Sequence, residues 1–418
     1  MRHRHRMIIV AAGILAATGV ESVSAGSRNM GLGGAVIAVP DPSLVGRDNP
    51  AVLGVVSGRG LRMAIFDADV AVGNGSFSFA DYRRYNGAEL TETDEAEILS
   101  RVGDGGLEFG GAVSGQGPSI GIGPFALAVR GVGSGGGRVP REVLELLFNG
   151  NALGETVDVS ATTGSGWAGL EVSAGAGWSL GSHFFPGETV VGAKLRYVHG
   201  FYHAGIRHAE GVLVTATDSL YGGGAVELAT SSGGAGYALD LGGLHHMGDW
   251  NFGARLEGLV SAMRWDDETE VTRYEASAGI GDPFAEGTEF GDLVSTSDST
   301  FAVSSFDMRL PLRVGVGASH NRGSWLFAGD LEHTPLGLVV GEDPWRLSAG
   351  AERMWFGRLL RTRAGLMFGG IGGTSLSGGL SVVTGPWRLD LDAGSYKTLN
   401  PFSPKGARFA LGTALVIG

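Results

Sequence analysis

The sequence predicts an all-β protein, a transmembrane antiparallel β-barrel of about 14 strands with an N-terminal plug and two short helices. Three observations predict it. The stretch Ser305–Ala318 places Phe306, Met308, Leu310, Leu312, Val314, Val316 and Ala318 on one parity, with Asp307, Arg309 and Arg313 on the other. Side chains of a strand alternate between faces, so one side is apolar throughout while the other carries charge. Two-faced segments of this kind recur at short intervals along the chain. Finally, a leader-like start is followed by no uncharged apolar run of the ~18 residues that a membrane-crossing helix needs.

Taken in order, the leader comes first. Arg2, Arg4 and Arg6 form a basic start, Met7 to Val20 an apolar centre, and Val23-Ser24-Ala25 a small-residue cleavage site. Residues 1–25 are therefore expected to be a signal peptide directing export. Residues 26–59 are small and apolar but broken by Pro40, Asp41, Pro42, Asn49 and Pro50, which suits a compact, irregular segment better than a strand. They are expected to form a plug, because a wide barrel with an empty lumen is an open pore. Residues 60–418 are expected to form the barrel.

Weaker strand candidates lie near Leu61 to Val72, Leu107 to Val113, Ser119 to Val129, Trp167 to Trp178 and Tyr237 to Leu244. Between them, Thr91 to Val102 opens on a capping box, and Val139 to Asn149 has Pro140 at its start and Gly150 at its stop. These are the two expected helices. Stronger strands follow. Val191, Ala193, Leu195 and Tyr197 oppose Lys194 and Arg196; Phe252, Ala254, Leu256 and Val260 oppose Arg255 and Glu257. Beyond Ser305 come segments around Trp325–Glu332, Trp345–Ser348, Leu360–Phe368, Trp387–Asp392 and Arg408–Ile417. The connections Phe201–Gly234 and Arg264–Ser304 are long and polar, and are expected to be extracellular loops opposite short turns. Trp250, Trp325, Trp345, Trp355 and Trp387 lie near strand ends, where interfacial aromatic belts sit.

The charged parity is expected to line the lumen with cross-strand ion pairs, through Arg255, Glu257, Asp307, Arg309, Arg313, Arg361, Arg363, Arg388 and Asp390. A soluble β-sandwich would put the same charges in water and bury the apolar parity, which is the competing architecture. Other chemistry is excluded or weak. A net charge of −12 argues against nucleic acid, and the absence of cysteine excludes disulfides and thiol catalysis. Gly131 to Gly136 matches G-x-G-x-x-G, yet chance matches are expected among 75 glycines and no βαβ unit follows. His199 and His203 share a parity if the strand runs straight through them, but no third ligand accompanies them. His245 and His246 are adjacent and face opposite ways, and Asp266, Asp267, Glu268 and Glu270 lack calcium-loop spacing. No catalytic residue, metal or cofactor is expected.

Met30-Gly-Leu-Gly-Gly-Ala-Val-Ile-Ala-Val39, a Pro/Asp turn, and Asn49-Pro50-Ala51 resemble the opening of the outer-membrane long-chain fatty-acid transporter family and of related barrels serving type IX secretion. The chain departs from the usual motif with Pro40-Asp41-Pro42 at the acidic turn and Val52 where glycine is common. The two helical segments, Leu90–Ser100 and Val139–Asn151, also resemble an uncharacterised outer-membrane family of Bacteroidota. The resemblance implies a 14-stranded barrel in the bacterial outer membrane whose N-terminal segment is a plug. It implies uptake or binding of a hydrophobic or amphipathic small molecule, with Gly31, Gly33 and Gly34 packing the plug and Asp41, Asn49 and Pro50 at its gate. The expected partners are outer-membrane lipid and that ligand. The alternative is a non-transporting scaffold whose partners are secretion or envelope proteins, and a soluble periplasmic β-protein is a third reading.

Overall fold

A computed structural model describes residues 26–41, 48–56, 58, 60–149, 154, 156–181, 186–215, 220–278, 294–337 and 342–417. The expected leader, together with 216–219 and 279–293 of the two long connections, lies outside the described residues. The chain opens with two short helical turns, α1 (Ser27–Gly31) and α2 (Val52–Val55), both inside the barrel that follows.

The two-faced segments pair with their chain neighbours through antiparallel ladders. β1 is Leu61–Asn74; β2 (Leu107–Gln116) and β3 (Ser119–Ile122) share one stave, broken at Gly117-Pro118. Then come β4 (Phe125–Val139), the short β5 (Thr156–Asp158), β6 (Thr163–Gly181), β7 (Glu188–Thr215), β8 (Leu220–Ser231) and β9 (Gly233–Met247). β10 (Trp250–Asp267) and β11 (Glu270–Ala278) rise as one stave, and β12 (Val294–Ala302), β13 (Phe306–Met308) and β14 (Leu312–Arg322) return as the next. β15 (Trp325–Leu336), β16 (Trp345–Trp355), β17 (Leu360–Gly369), β18 (Ser375–Thr384), β19 (Trp387–Ser395) and β20 (Gly406–Ile417) complete the wall. Pairing of β1 with β20, from Leu61↔Ile417 to Gly73↔Gly406, closes a 14-strand barrel. Closure leaves the wall with no free edge.

Burial is inverted relative to a water-soluble protein. Leu195, Tyr197, Phe252, Leu347, Leu389, Leu391 and Leu411 are exposed on the outside, while Lys194, Arg196, Arg255, Glu332, Arg363, Asp390 and Arg408 are buried inside. A belt of apolar side chains on every stave is stable only against hydrocarbon, which settles the architecture in favour of the transmembrane barrel over the sandwich. No described helix is long and apolar enough to cross a membrane. Trp178, Trp250, Trp325, Trp355 and Trp387 gather at the tight-turn end, and Trp345 sits at the other, stacked on His333 at 4.2 Å.

Ser305–Ala318 is not a single strand, because Pro311 has no N–H to give to a ladder and separates β13 from β14. A register shift between Leu312 and Val314 follows. Phe306, Met308 and Leu310 consequently face inward, whereas Val314 and Val316 face lipid. A shift of one residue turns every later side chain to the other face. Residues 258–262 of β10 have no rungs to β13 or β14 there; Asp240 Oδ1 accepts Gly258 N–H at 2.8 Å, and Leu310 O accepts Ser261 Oγ–H at 3.1 Å.

The same physics separates the two histidines. Ala168 pairs with Tyr202 but Gly169 pairs with Gly200, leaving Phe201 as an extra residue in β7. His199 is therefore exposed and His203 buried, so they do not share a face. The long connections also differ from simple loops. β7 runs past its last rung with β6, and pairs there with β8, which pairs with β11, which pairs with β12. Thr272 and Thr300 hydroxyls meet at 3.0 Å and Arg273 joins Glu227 at 2.9 Å, which holds this sheet together beyond the wall.

Three helices cover the connections between early staves. α3 (Phe79–Tyr85) was not expected, although Ser78 and Asp81 form the same capping box that marks α4 (Glu92–Arg101) at Thr91 and Asp94. α5 (Arg141–Asn149) follows Pro140. Leu99, Val102 and Leu144 pack with Phe77, Leu107, Val139 and Phe148. Arg84 bridges Asp94 and Glu97 at 3.0 Å each, and Arg101 bridges Asp81 at 2.7 Å. Burial pushes the Asp81 carboxyl up, but Ser78 hydrogen bonds and the Arg101 charge outweigh it and hold it below its ordinary value. Thr91 lowers Asp94, and Arg101 lowers Glu97. A depressed folded-state pKa gives stability that is complete above the unfolded value, about 4, and is lost as pH falls through the folded value. Hydrogen exchange corrected for intrinsic rate is accordingly expected to show α3 and α4 amides losing protection as pH falls below about 4 while strand amides keep theirs. Equal loss in both would refute the assignment.

Candidate functional site: the occupied lumen

The lumen is polar because each stave turns its charged parity inward, and closure brings those parities together. Starting at β4, Arg130 pairs with Glu171 at 3.0 Å, Arg196 with Glu171 at 3.3 Å and with Asp240 at 2.9 Å, and Lys194 with Asp240 at 3.1 Å. Arg196 reaches Glu257 at 3.7 Å, Arg255 meets Glu332 at 2.6 Å, and Arg346 shares that carboxylate. Across the barrel, Arg363 holds Asp392 at 2.7 Å, Asp390 at 3.1 Å and Glu352 at 3.5 Å. Buried charges persist only when paired and hydrogen-bonded, and here they are chained around the wall.

The N-terminal segment is tied into this belt. Arg28 of α1 donates to Glu352 at 2.8 Å and to Asp41 at 2.6 Å, and Arg388 reaches Asp41 at 2.7 Å. Asp330 accepts the backbone N–H groups of Val36 at 2.5 Å and Ile37 at 2.8 Å, and Ser319 donates to Ala38 O at 2.7 Å. Asn49 donates to Ile37 O at 2.9 Å and Gly243 O at 3.0 Å, and its own carbonyl accepts Ala51 N–H at 3.1 Å. That side chain pins two parts of the segment to one another and to β9.

Backbone-on-backbone packing explains where many glycines fall. A methyl group added at Gly365 or Gly350 of the wall would overlap the backbone of Leu32 and Gly33, one at Gly253 would overlap Ile37 and Ala38, and one at Gly192 would overlap Pro50 and Ala51. On the other side of the contact, Gly31 has no room beside Asp392 and Arg363, and Gly33 both abuts Leu366 O and adopts φ +69°. Gly34 also has positive φ, +91°.

The residues expected in the site therefore divide. Gly31, Gly33, Gly34, Asp41, Asn49 and Pro50 all lie within the barrel, and Arg255, Glu257, Arg363, Arg388 and Asp390 are buried in the ion-pair belt. Arg361 stands 3.6 Å from Glu352, and Arg313 is 3.7 Å from Glu342. Asp307 and Arg309 are the corrections. Both lie outside the lumen, with the Asp307 side chain 80% exposed at 3.7 Å from Arg264, because Pro311 reverses the faces upstream of it. The belt also holds Arg28, Asp330, Glu332, Glu352 and Asp392, which are not among the lining residues expected from the sequence. The last four share the parity already read as inward, whereas Arg28 sits in a segment with no period to read.

Above the belt, towards the long connections, the inward parity becomes aromatic. Trp265 and His203 are buried there, with Trp167 and Phe306 half-buried beside them. An aqueous pore would line this level with charge. Here a packed cluster of aromatic and apolar side chains stands over a polar, occupied level.

Solved outer-membrane barrels are similar to this chain. The crystal structure of a Pseudomonas aeruginosa FadL homologue aligns with a TM-score of 0.51 at 13% identity, covering 96% of this chain and 100% of that one. The P. putida toluene transporter TodX aligns with a TM-score of 0.49 at 12% identity, covering 96% and 97%. No family model matches the chain, and no curated protein does. The likeness to type IX barrels and to the Bacteroidota family thus rests on motif residues alone. Fold, apolar belt and occupied lumen together define a β-barrel of the bacterial outer-membrane type.

Proposed function

We propose that the protein admits hydrophobic or amphipathic small molecules across the outer membrane, past an N-terminal plug formed by residues 26–59. One observation carries the reading. The polar level of the lumen is filled by a segment seated through hydrogen bonds and ion pairs, and the level above it is lined by apolar and aromatic side chains rather than by charge. A solute that passes such a level is one that gains from leaving water. Gly31, Gly33 and Gly34 let the plug seat closely, and the Asn49-Pro50 turn, fastened to β9 through Asn49, is the natural gate. The long connections are placed on the extracellular side, and residues 1–25 direct export.

The likeness to the FadL homologue supports the same barrel plan. Reconstituted into liposomes, the protein is expected to speed entry of an apolar solute, and loss of the Asn49 amide in Asn49→Leu is expected to change that rate severalfold. Failure of every apolar and amphipathic solute to enter faster than in empty liposomes would refute uptake. That outcome would favour an envelope scaffold, for which the sheet formed by β7, β8, β11 and β12 supplies the projecting surface.

A further inference from the structure

Beyond the aromatic level, on the side of the long connections, the wall continues as the sheet of β7, β8, β11 and β12, and one face of that sheet is hollowed. The cleft there has a volume of about 790 Å³, which is the size of a small-molecule site. Pairing tells which face it occupies. Ser231 and Ala229 of β8 pair with His203 and Gly205 of β7, and Ala225 and Gly223 continue the same parity, so the cleft prolongs the luminal face and not the lipid-facing one. Gly222, Gly223 and Gly224 line it without side chains. Among the described residues only Ala276 O, at 3.4 Å, stands near a Cβ added at Gly223, so the hollow is space that a side chain could fill.

Part of the lining is apolar. Val212 and Val214 of β7 and Tyr221 of β8 face the cleft, with Val212 and Tyr221 each 46% exposed. The rest is polar and built around Arg273 of β11. Its Nε donates to Glu275 at 2.7 Å, Nη1 to Glu227 at 2.9 Å and Nη2 to Glu210 at 3.0 Å, and His208 also reaches Glu210 at 3.1 Å. An ionised carboxylate has about four acceptor sites, so each of the three keeps acceptor capacity after meeting the guanidinium. Ser277 and Ser295, whose hydroxyls meet at 2.7 Å, and Ser297 add groups that both donate and accept.

This lining discriminates between solutes. An anion would meet Glu210 and Glu275, and a cation would lie beside Arg273 or have to displace it. A hydrocarbon would take water from the carboxylates and hydroxyls and return no hydrogen bond. A neutral polyhydroxylated ring avoids all three costs. Its hydroxyls donate to the carboxylates and exchange bonds with the serines, while its C–H face covers the Tyr221 ring and Val212. We propose that this cleft binds a neutral saccharide. The site is separate from the occupied lumen and does not rest on the uptake reading, because binding requires no passage of solute.

The test uses the whole barrel in polyoxyethylene-detergent micelles, which carry no sugar headgroup. Saturation-transfer difference NMR is recorded with maltotriose, cellotriose and tri-N-acetylchitotriose, and with two charged counterparts, fully deacetylated chitotriose and trigalacturonate. At least one neutral trisaccharide is expected to bind saturably, and severalfold more tightly than either charged one. Tyr221→Ala is expected to weaken that binding about threefold to tenfold and Tyr221→Phe to preserve it, because the ring supplies the contact. Gly223→Val fills the floor and is expected to abolish saturable binding. Heat-modifiable gel migration checks that each variant is folded; should Gly223→Val fail it, the tyrosine pair decides. No saturable binding by any neutral trisaccharide, tighter binding of a charged one, or binding unchanged in the folded Tyr221→Ala and Gly223→Val variants overturns the proposal.

Discussion

Replacing Arg363 by leucine is expected to destabilise the barrel by about 3–5 kcal/mol, the usual cost of stripping one partner from a buried ion pair. Its guanidinium is fully buried and holds Asp392, Asp390 and Glu352, donates to Ser381 Oγ at 2.5 Å and Leu380 O at 3.2 Å, and lies against Gly31 of α1. Leucine fills part of the volume but strips Asp392 of its guanidinium partner and leaves Asp390 with Arg388 alone, at 2.7 Å. Denaturant unfolding in micelles, followed by the loss of heat-modifiable migration, measures the effect. Arg363→Lys should recover only part of it, since an ammonium keeps the charge but not the fork that reaches three carboxylates and a carbonyl. A leucine variant as stable as the parent would mean that the belt is solvated and unimportant to folding.

Gly365→Val is expected to displace the N-terminal segment and open the lumen. The new side chain would occupy the space of the Gly33 N and Leu32 C atoms, and main chain cannot yield as a side chain end can. Overpacking of this kind costs about 1–3 kcal/mol, enough to shift the seated-to-unseated ratio by roughly fivefold to 150-fold. Single-channel recording in planar bilayers should then show conducting events that the parent lacks. Gly115→Val is the control, because nothing lies within 4 Å of a Cβ at that position. If both variants stay silent and stable, the inner segment is not what closes the barrel.

Much of this architecture was legible in order of residues. Alternation at Lys194/Leu195/Arg196/Tyr197 and at Arg388/Leu389/Asp390/Leu391 states which side chains share a face, and the closed structure buries the charged set of each. Capping residues marked α4, and the same box at Ser78 and Asp81 would have marked α3 had it been weighed. What stayed hidden was set by strands distant in sequence. Nothing local to His199 and His203 announces the extra Phe201, whose bulge appears only in the pairing of β6 with β7. Pro311 was visible in the sequence, but its reversal of Asp307 and Arg309 depends on the register that β14 takes against β15.

The sequence by itself determined that this is a barrel, which parity is charged, and that an irregular small-residue segment precedes the first strand. Those properties follow from period-two geometry and from turn chemistry, which act over a few residues. Only the tertiary structure decided which charges meet, which wall glycines receive the inner segment, and that four rings converge around His203 and Trp265. Each of these depends on closure and on bulges, and a single inserted residue exchanges the inside of the barrel for the outside.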